Sequence, residues 1–164
     1  MTDEIELNAH NKEEYPPMHT TEHIVNQAMI RLMGSGRSVG AHIEKKKSKL
    51  DYTLPSEPTP EQIRAIEEEV NRVIELSLDV TTEFITQSEA VGRFDMKRLP
   101  EGASEMVRIV HVGDYDECLC IGLHVTNTSE IGRFHITSSS WDEERKRWRM
   151  IFKLEESLLS ASST

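Results

Sequence analysis

The chain has 164 residues, of which 37% are hydrophobic, and carries a formal net charge of −10 at pH 7. The length and composition fit one globular domain with short tails. The negative net charge argues against a protein that coats long stretches of nucleic acid, although a local basic patch could still bind a few phosphates. No apolar run approaches the length of a membrane span, so no membrane partner is expected.

The N-terminal third predicts a helix followed by a hairpin. Residues 1–17 are polar and end in two prolines, which predicts a flexible lead. A helix is predicted from about residue 19 to residue 33, because apolar residues recur at helical spacing and Gly34 and Gly36 follow as a stop. Residues 39–54 are typical of a β-hairpin with a lysine-rich turn. The apolar stripe of the helix consists of Ile24, Val25, Ala28, Met29 and Leu32.

The second helix has the clearest signature in the chain. Thr59 can cap it, Pro60 suits its first position, and Gln62 completes a capping box. Its buried stripe is predicted to consist of Ile63, Ile66, Val70, Val73 and Ile74. The acidic run between these positions, Glu67, Glu68 and Glu69, is then expected to form an exposed face.

The remaining pattern is mostly that of strands. Alternation of Trp148, Met150 and Phe152 with polar residues is typical of a half-buried strand. The predicted strands are residues 79–86, 106–112, 131–137 and 148–154, with a short helix at 88–94 and a flexible tail at 156–164. Strands beside a few helices predict an α+β fold with two layers, in which helices pack on an antiparallel sheet.

Two pairs of soft donors carry the strongest chemical signal. His19 and His23 are spaced i and i+4, which places both on one face of a helix, and Cys120 and His124 repeat that spacing. One cysteine and three histidines suit Zn²⁺. A single i,i+4 pair of histidines is common on a polar helix face, but the second pair favours a metal site. Glu22 directly precedes the second histidine, so the order differs from the His-Glu-x-x-His protease motif.

Several roles around these donors stay open from the residues alone. If all four bind zinc, the coordination is closed; if one is loose, water or a substrate amine can take its place. Cys118 either packs or replaces a ligand, and a Cys-x-Cys pair without a secretory signal favours a reducing cytoplasm. Glu22 and Asp51 are candidate partners for a histidine N–H, or plain surface carboxylates.

Six segments occur in an order that spans about residues 18–154. They are His19-Thr-Thr-Glu-His23, Leu50-Asp-Tyr52, Val107-Arg-Ile-Val110, Cys120-Ile-Gly-Leu-His-Val125, Asn127-Thr-Ser-Glu-Ile-Gly132 and Trp148-Arg-Met-Ile-Phe152. In these segments the chain resembles the second additional domain of threonyl- and alanyl-tRNA synthetases, and most closely the free-standing alanyl-tRNA editing proteins. The resemblance implies an editing-type domain over residues 18–155.

The resemblance implies a zinc-dependent deacylase that binds the acceptor end of mischarged tRNA(Ala) and removes serine or glycine. The residues that match the zinc ligands are His19, His23, Cys120 and His124. Thr20 matches a threonine that lines the amino-acid pocket, where its hydroxyl can pair with that of serine. Thr20 and Glu22 are therefore the predicted catalytic-site residues. The alternatives are a Ser-tRNA(Thr) deacylase and a non-catalytic, zinc-stabilised module that binds RNA or protein.

Two departures from the family pattern affect these expectations. The family commonly has two glycines and a small residue between the cysteine and the histidine, where this chain has Ile121, Gly122 and Leu123. The bulk of Ile121 and Leu123 is expected either to narrow the pocket or to change which substrate it admits. The chain also begins too near His19 for the glycine-rich N-terminal domain of longer editing proteins, which predicts a short, trans-acting form.

Overall fold

The computed structural model describes residues 15–91, 93 and 106–155. The helices are α1 (Pro16–Met33), α2 (Pro60–Glu75) and α3 (Gln87–Val91), with a 3-10 turn at Thr128–Glu130. The strands are β1 (Gly40–His42), β2 (Ser48–Thr53), β3 (Val80–Thr86), β4 (Met106–Val112), β5 (Asp116–Leu119), β6 (Arg133–Asp142) and β7 (Arg147–Glu155). Most of the predicted lead, the whole predicted tail and residues 92 and 94 of the predicted short helix lie outside the described residues.

Helix α1 begins at Pro16, about one turn before the predicted start. Both prolines lie in its first turn, where a backbone N–H has no partner inside the helix, so proline costs little there. The helix ends at Gly34, whose φ of 69° is left-handed and whose N–H donates to Ile30 O at 3.2 Å. Glycine suits this position because it adopts positive φ without a steric penalty.

Helix α2 confirms the predicted capping box. Gln62 N donates to Thr59 Oγ1 at 3.1 Å, and Thr59 N donates to Gln62 Oε1 at 2.9 Å. Four members of the predicted stripe are buried, and Ile63 is partly buried against the same core. The buried four are Ile66, Val70, Val73 and Ile74.

The expectation that the acidic run of α2 is simply an exposed face was wrong for two of its three residues. Glu67 Oε1 accepts from Ile136 N at 2.9 Å, which ties the helix to β6. Glu69 Oε2 accepts from the Tyr115 hydroxyl at 2.8 Å. Glu68 alone of the three is fully on the exposed side. Hydrophobic periodicity could not show this, because both bonds depend on partners about 50 residues or more away in sequence.

Replacing the capping threonine of α2 tests how much the capping box contributes to the stability of the protein. Thr59→Ala removes the acceptor for Gln62 N and is expected to lower the free energy of unfolding by about 1 kcal/mol. Denaturant titration measures the change, and Ser56→Ala, at a neighbouring exposed position, is the control. Equal stability of the two variants would contradict a stabilising cap.

The seven strands form two antiparallel sheets, and the predicted α+β class is confirmed. The four-stranded sheet has the order β1-β2-β7-β6 and the three-stranded sheet the order β3-β4-β5. The main core lies between the four-stranded sheet and helices α1 and α2, and its largest side chains are Trp148, Tyr52, Phe134 and Phe152. A second core under the small sheet consists of Ile85, Ala90, Val107 and Ile109.

Strand β6 extends five residues beyond its predicted end. Its second half is a serine run, 138–140, whose side chains are exposed and therefore carry no hydrophobic signal. The run is still a strand because it continues the hairpin with β7, after a bulge between Ile136 and Ser138. Within the described part of the chain, no helix is both long enough and apolar enough to cross a membrane.

Candidate metal centre

Two distant parts of the chain bring the two donor pairs together. His19 and His23 lie one turn apart on α1. Cys120 directly follows β5, and its N–H donates to Arg108 O at 3.2 Å, which extends the small sheet by one residue. His124 follows in the loop after Cys120. One donor atom from each of the four residues lies within 4.8 Å of each of the others.

The distances inside this cluster fit a tetrahedral zinc ion. Cys120 Sγ lies 3.4 Å from His19 Nε2 and 3.5 Å from His124 Nε2. Tetrahedral zinc with Zn–S of about 2.3 Å and Zn–N of about 2.0–2.1 Å requires a sulfur–nitrogen separation of about 3.6 Å. The cysteine and these two histidines are therefore already arranged as ligands of one ion.

The other ring nitrogen of each histidine faces an oxygen of the protein. Such a partner can accept a proton from Nδ1, and in that tautomer the lone pair of Nε2 would be available to a metal. The three partners are Leu123 O for His19 at 3.1 Å, Thr20 Oγ1 for His124 at 2.9 Å and Asp116 Oδ2 for His23 at 3.6 Å. The last distance is long for a hydrogen bond, so Asp116 acts on His23 mainly through its charge.

The electrostatics of the cluster favour the thiolate form of Cys120. Burial opposes ionisation of Cys120, but hydrogen bonds from His124, His19 and His23 outweigh it and lower the pKa of the thiol to about 3. Burial and the nearby charge of His23 lower the pKa of His124 to about 4, despite its hydrogen bond to Cys120. Cys120 and His124 thus already have the protonation states that a metal ligand needs.

Asp116 is the supporting residue that sequence reasoning missed. Its carboxylate is buried, accepts from Gln27 Nε2 at 2.9 Å and forms an ion pair with Arg37. Burial opposes the charge of His23, but Asp116 and Cys120 raise the pKa of that histidine to about 9. The sequence did offer one signal for Asp116. Asp116, Cys118 and Cys120 are alternate residues, and alternate residues of a strand project to the same face.

The two predicted catalytic-site residues, Thr20 and Glu22, have different surroundings. Thr20 is fully buried, and its Oγ1 accepts from Val125 N at 3.2 Å in addition to its bond with His124. Thr20 thus contacts one member of the second donor pair, His124, and the residue that follows it. Glu22 lies beside the cluster, with Oε1 3.8 Å from His19 Nε2.

Two other candidates lie outside the group of four donors. The role of Asp51 was open between a histidine partner and a surface carboxylate, and the structure pairs it with Arg149: its carboxylate accepts from Arg149 Nε at 2.8 Å and Nη2 at 3.1 Å. Cys118 lies on β5 and contributes no donor atom to the cluster; its Sγ lies 3.4 Å from Leu119 O.

The loop between Cys120 and His124 turns its bulk outward. The side chains of Ile121 and Leu123 are 77% and 59% exposed. The backbone between them is held in place, because Gly122 N donates to Cys120 Sγ at 3.4 Å and Gly122 O accepts from Arg108 Nη1 at 2.9 Å. The two bulky residues therefore border the cluster on its solvent side, and their bulk is not packed beneath it.

Comparison with known proteins identifies the relatives of this chain. Residues 107–151 match the family described as the threonyl and alanyl tRNA synthetase second additional domain. The chain is 39% identical over 123 residues to an alanine–tRNA ligase of Fervidobacterium nodosum, 34% over 125 residues to one of Shouchella clausii and 37% over 119 residues to one of Streptococcus thermophilus.

These alignments cover 74%, 74% and 72% of this chain but only 14% of each ligase. The similarity is thus to one segment of a much longer protein. The matched family residues include all of β4 but its first residue, the whole of β5 and the second donor pair. The chain therefore belongs to the family of the threonyl and alanyl tRNA synthetase second additional domain and is related to alanine–tRNA ligases.

Proposed function

We propose that this protein is a trans-acting editing hydrolase that removes serine or glycine from mischarged tRNA(Ala) in the cytoplasm. The observation that carries the proposal is the cluster of one thiolate and three imidazoles, at zinc-ligand spacing, in a relative of alanine–tRNA ligases. The alanine relatives favour tRNA(Ala) over tRNA(Thr) as the substrate.

The proposed cofactor is Zn²⁺, held by His19, His23, Cys120 and His124. When bound, zinc supplies a Lewis acid that polarises an ester carbonyl and makes water more acidic. Four protein donors complete a tetrahedral shell, so contact with substrate requires a fifth position or a released donor. His23 is the buried member of the set, and the other three are partly exposed. Substrate is therefore expected to approach from the side of those three.

The two predicted catalytic-site residues have different proposed roles. The Glu22 carboxylate lies beside His19 Nε2, the atom that would bind the metal, and could accept a proton from an attacking water. Thr20 is a positioning residue, since its hydroxyl is hydrogen-bonded to His124 Nδ1 and accepts the N–H of Val125. It acts on the amino-acid pocket through the donor pair that it holds.

Deacylation of charged tRNAs by the purified, zinc-loaded protein tests this function. Hydrolysis of Ser-tRNA(Ala) or Gly-tRNA(Ala) is expected, with Ala-tRNA(Ala) left intact as the internal control. Faster hydrolysis of Ser-tRNA(Thr) would instead favour the alternative function of a Ser-tRNA(Thr) deacylase. Stability of all the mischarged tRNAs would overturn the proposal.

A second candidate function is a non-catalytic module that zinc stabilises. The specific observation in its favour is that four protein donors leave no coordination position for substrate. This candidate predicts tetrahedral zinc in X-ray absorption, a large loss of thermal stability on chelation and no deacylation. Hydrolysis of any mischarged tRNA by the zinc-loaded protein would exclude it.

Asp116 is expected to tune metal affinity through His23. Asp116→Asn keeps the shape of the side chain but removes the charge that faces His23 Nδ1, and is expected to weaken zinc binding by about 10- to 100-fold. Competition with a chromophoric chelator measures the affinity. Asp51→Asn is the matched control, since Asp51 pairs with Arg149. Equal zinc affinity of the two variants would contradict the support role.

A further inference from the structure

A row of three residues crosses the small sheet beside the metal cluster. Phe84 of β3 is the Cα partner of Arg108 of β4. Cys120 lies opposite Arg108 on the other side, one residue after the pair Ile109 and Leu119, and its N–H donates to Arg108 O. Directly opposed residues of neighbouring strands project to the same face of a sheet. Phe84, Arg108 and Cys120 therefore share one face, which we call the row.

At its Phe84 end, the row is covered by none of the described helices. On the same face, Val110 and Val112 of β4 are fully buried, and α1 packs against β4 and β5. Phe84 is 63% exposed and the neighbouring Met106 is 46% exposed. Exposed apolar groups of this size that gather at one place usually mark a binding surface. The row thus combines a metal cluster at one end with an accessible aromatic ring at the other.

The spacing along the row sets the size of the ligand. Neighbouring strands are about 4.7–4.9 Å apart, so Phe84 lies about 10 Å from Cys120 across the sheet. In the proposed reaction the ester is carried by the ribose of the terminal, unpaired nucleotide. With the ester at the cluster, that ribose lies over the middle strand and its base reaches toward the outer strand, where Phe84 projects.

The chemistry of the row suits such a nucleotide. An exposed aromatic ring offers a stacking surface to any unpaired base. Between the ring and the cluster lies Arg108, which donates to Gly122 O through Nη1 and has further N–H donors suited to a ribose hydroxyl or a phosphate. Arg108 also places a positive charge where the tRNA, a polyanion, must approach. This matters because the chain as a whole has a net charge of −10.

We propose that Phe84 is a stacking platform for the terminal base of the aminoacylated tRNA. This inference rests on the proposed function for the identity of the ligand. Arg108 is a positioning residue that holds the loop of Gly122 beside the cluster and faces the sugar-phosphate of the same nucleotide.

The test uses an RNA hairpin of the tRNA(Ala) acceptor stem with 2-aminopurine as its terminal base. Stacking on Phe84 is expected to quench its fluorescence when the zinc-loaded protein binds. Phe84→Ala is expected to abolish the quenching and raise Kd by about 5- to 100-fold, the range for one base–aromatic stack. In deacylation of Ser-tRNA(Ala), the same variant is expected to raise KM with kcat nearly unchanged.

Three controls separate stacking from other effects. Phe84→Trp keeps an aromatic face and is expected to retain quenching, whereas Phe84→Leu keeps apolar bulk without a π-face and is expected to lose it. Leu76→Ala removes a 52% exposed side chain at the end of α2 and is expected to leave Kd unchanged. Unchanged folding is checked by circular dichroism.

The outcomes distinguish this inference from the proposed function. Quenching that depends on an aromatic residue at position 84, without deacylation, would support the platform and overturn the hydrolase. Deacylation with quenching and KM unaffected by Phe84→Ala would overturn the platform and leave the hydrolase in place. If Phe84→Leu and the unmutated protein bind the RNA hairpin with equal Kd, Phe84 makes only an apolar contact, and the stacking proposal is overturned.

Discussion

His23→Ala is expected to lower kcat/KM for deacylation of Ser-tRNA(Ala) by at least about 100-fold and to abolish stoichiometric zinc binding. His23 is the buried donor of the cluster, so no solvent-exposed group can replace it. Without it, Asp116 faces a cavity and Cys120 loses one of its three imidazole partners. A lost Lewis acid removes several kcal/mol of transition-state stabilisation, and each 1.36 kcal/mol is a factor of ten in rate.

The measurement combines single-turnover deacylation with elemental analysis of bound zinc. His42→Ala is the matched control, because His42 is exposed on β1 and belongs to no donor group among the described residues. Chelation of zinc from the unmutated protein is expected to reproduce the His23→Ala phenotype, and readdition of zinc to reverse it. Full activity of a zinc-free His23→Ala protein would contradict the proposal that these four donors hold a zinc ion required for deacylation.

Phe134→Ala is expected to cause a large loss of stability. Phe134 is fully buried, and its ring centroid lies 5.1 Å from that of Phe152. Its backbone is held by Asn71, whose side chain bonds both Phe134 N at 2.8 Å and Phe134 O at 2.9 Å. The site therefore cannot collapse to fill the cavity, and a loss of about 3–5 kcal/mol is expected.

Thermal and denaturant unfolding measure this loss, which corresponds to a decrease in Tm of roughly 6–20 °C for a chain of this size. Phe84→Ala makes the same chemical change on an exposed surface and is expected to alter stability by no more than about 0.5 kcal/mol. Similar Tm values for the two variants would show that Phe134 does not anchor the core between α2 and β6.

The helices were predictable because their signals are local. The capping box of Thr59 and Gln62 and the apolar stripe of α2 depend on residues within a few turns, and the structure has both. The start of α1 was misplaced because two prolines were interpreted as a break, although they also fit a first turn. The end of β6 was missed because exposed serines show no alternation, and only pairing with β7 makes them a strand.

The amino-acid sequence by itself determined the donor residues, their i,i+4 spacing and the class of metal they suit, because these follow from side-chain chemistry and local geometry. Only the tertiary structure decided that the two pairs meet, since residues 19 and 120 are joined by packing of α1 against β4 and β5. The same packing buried Thr20 behind His124 and brought Asp116 to His23. It also left Phe84 exposed at one end of the row, because among the described elements α1 covers only the neighbouring part of that sheet face.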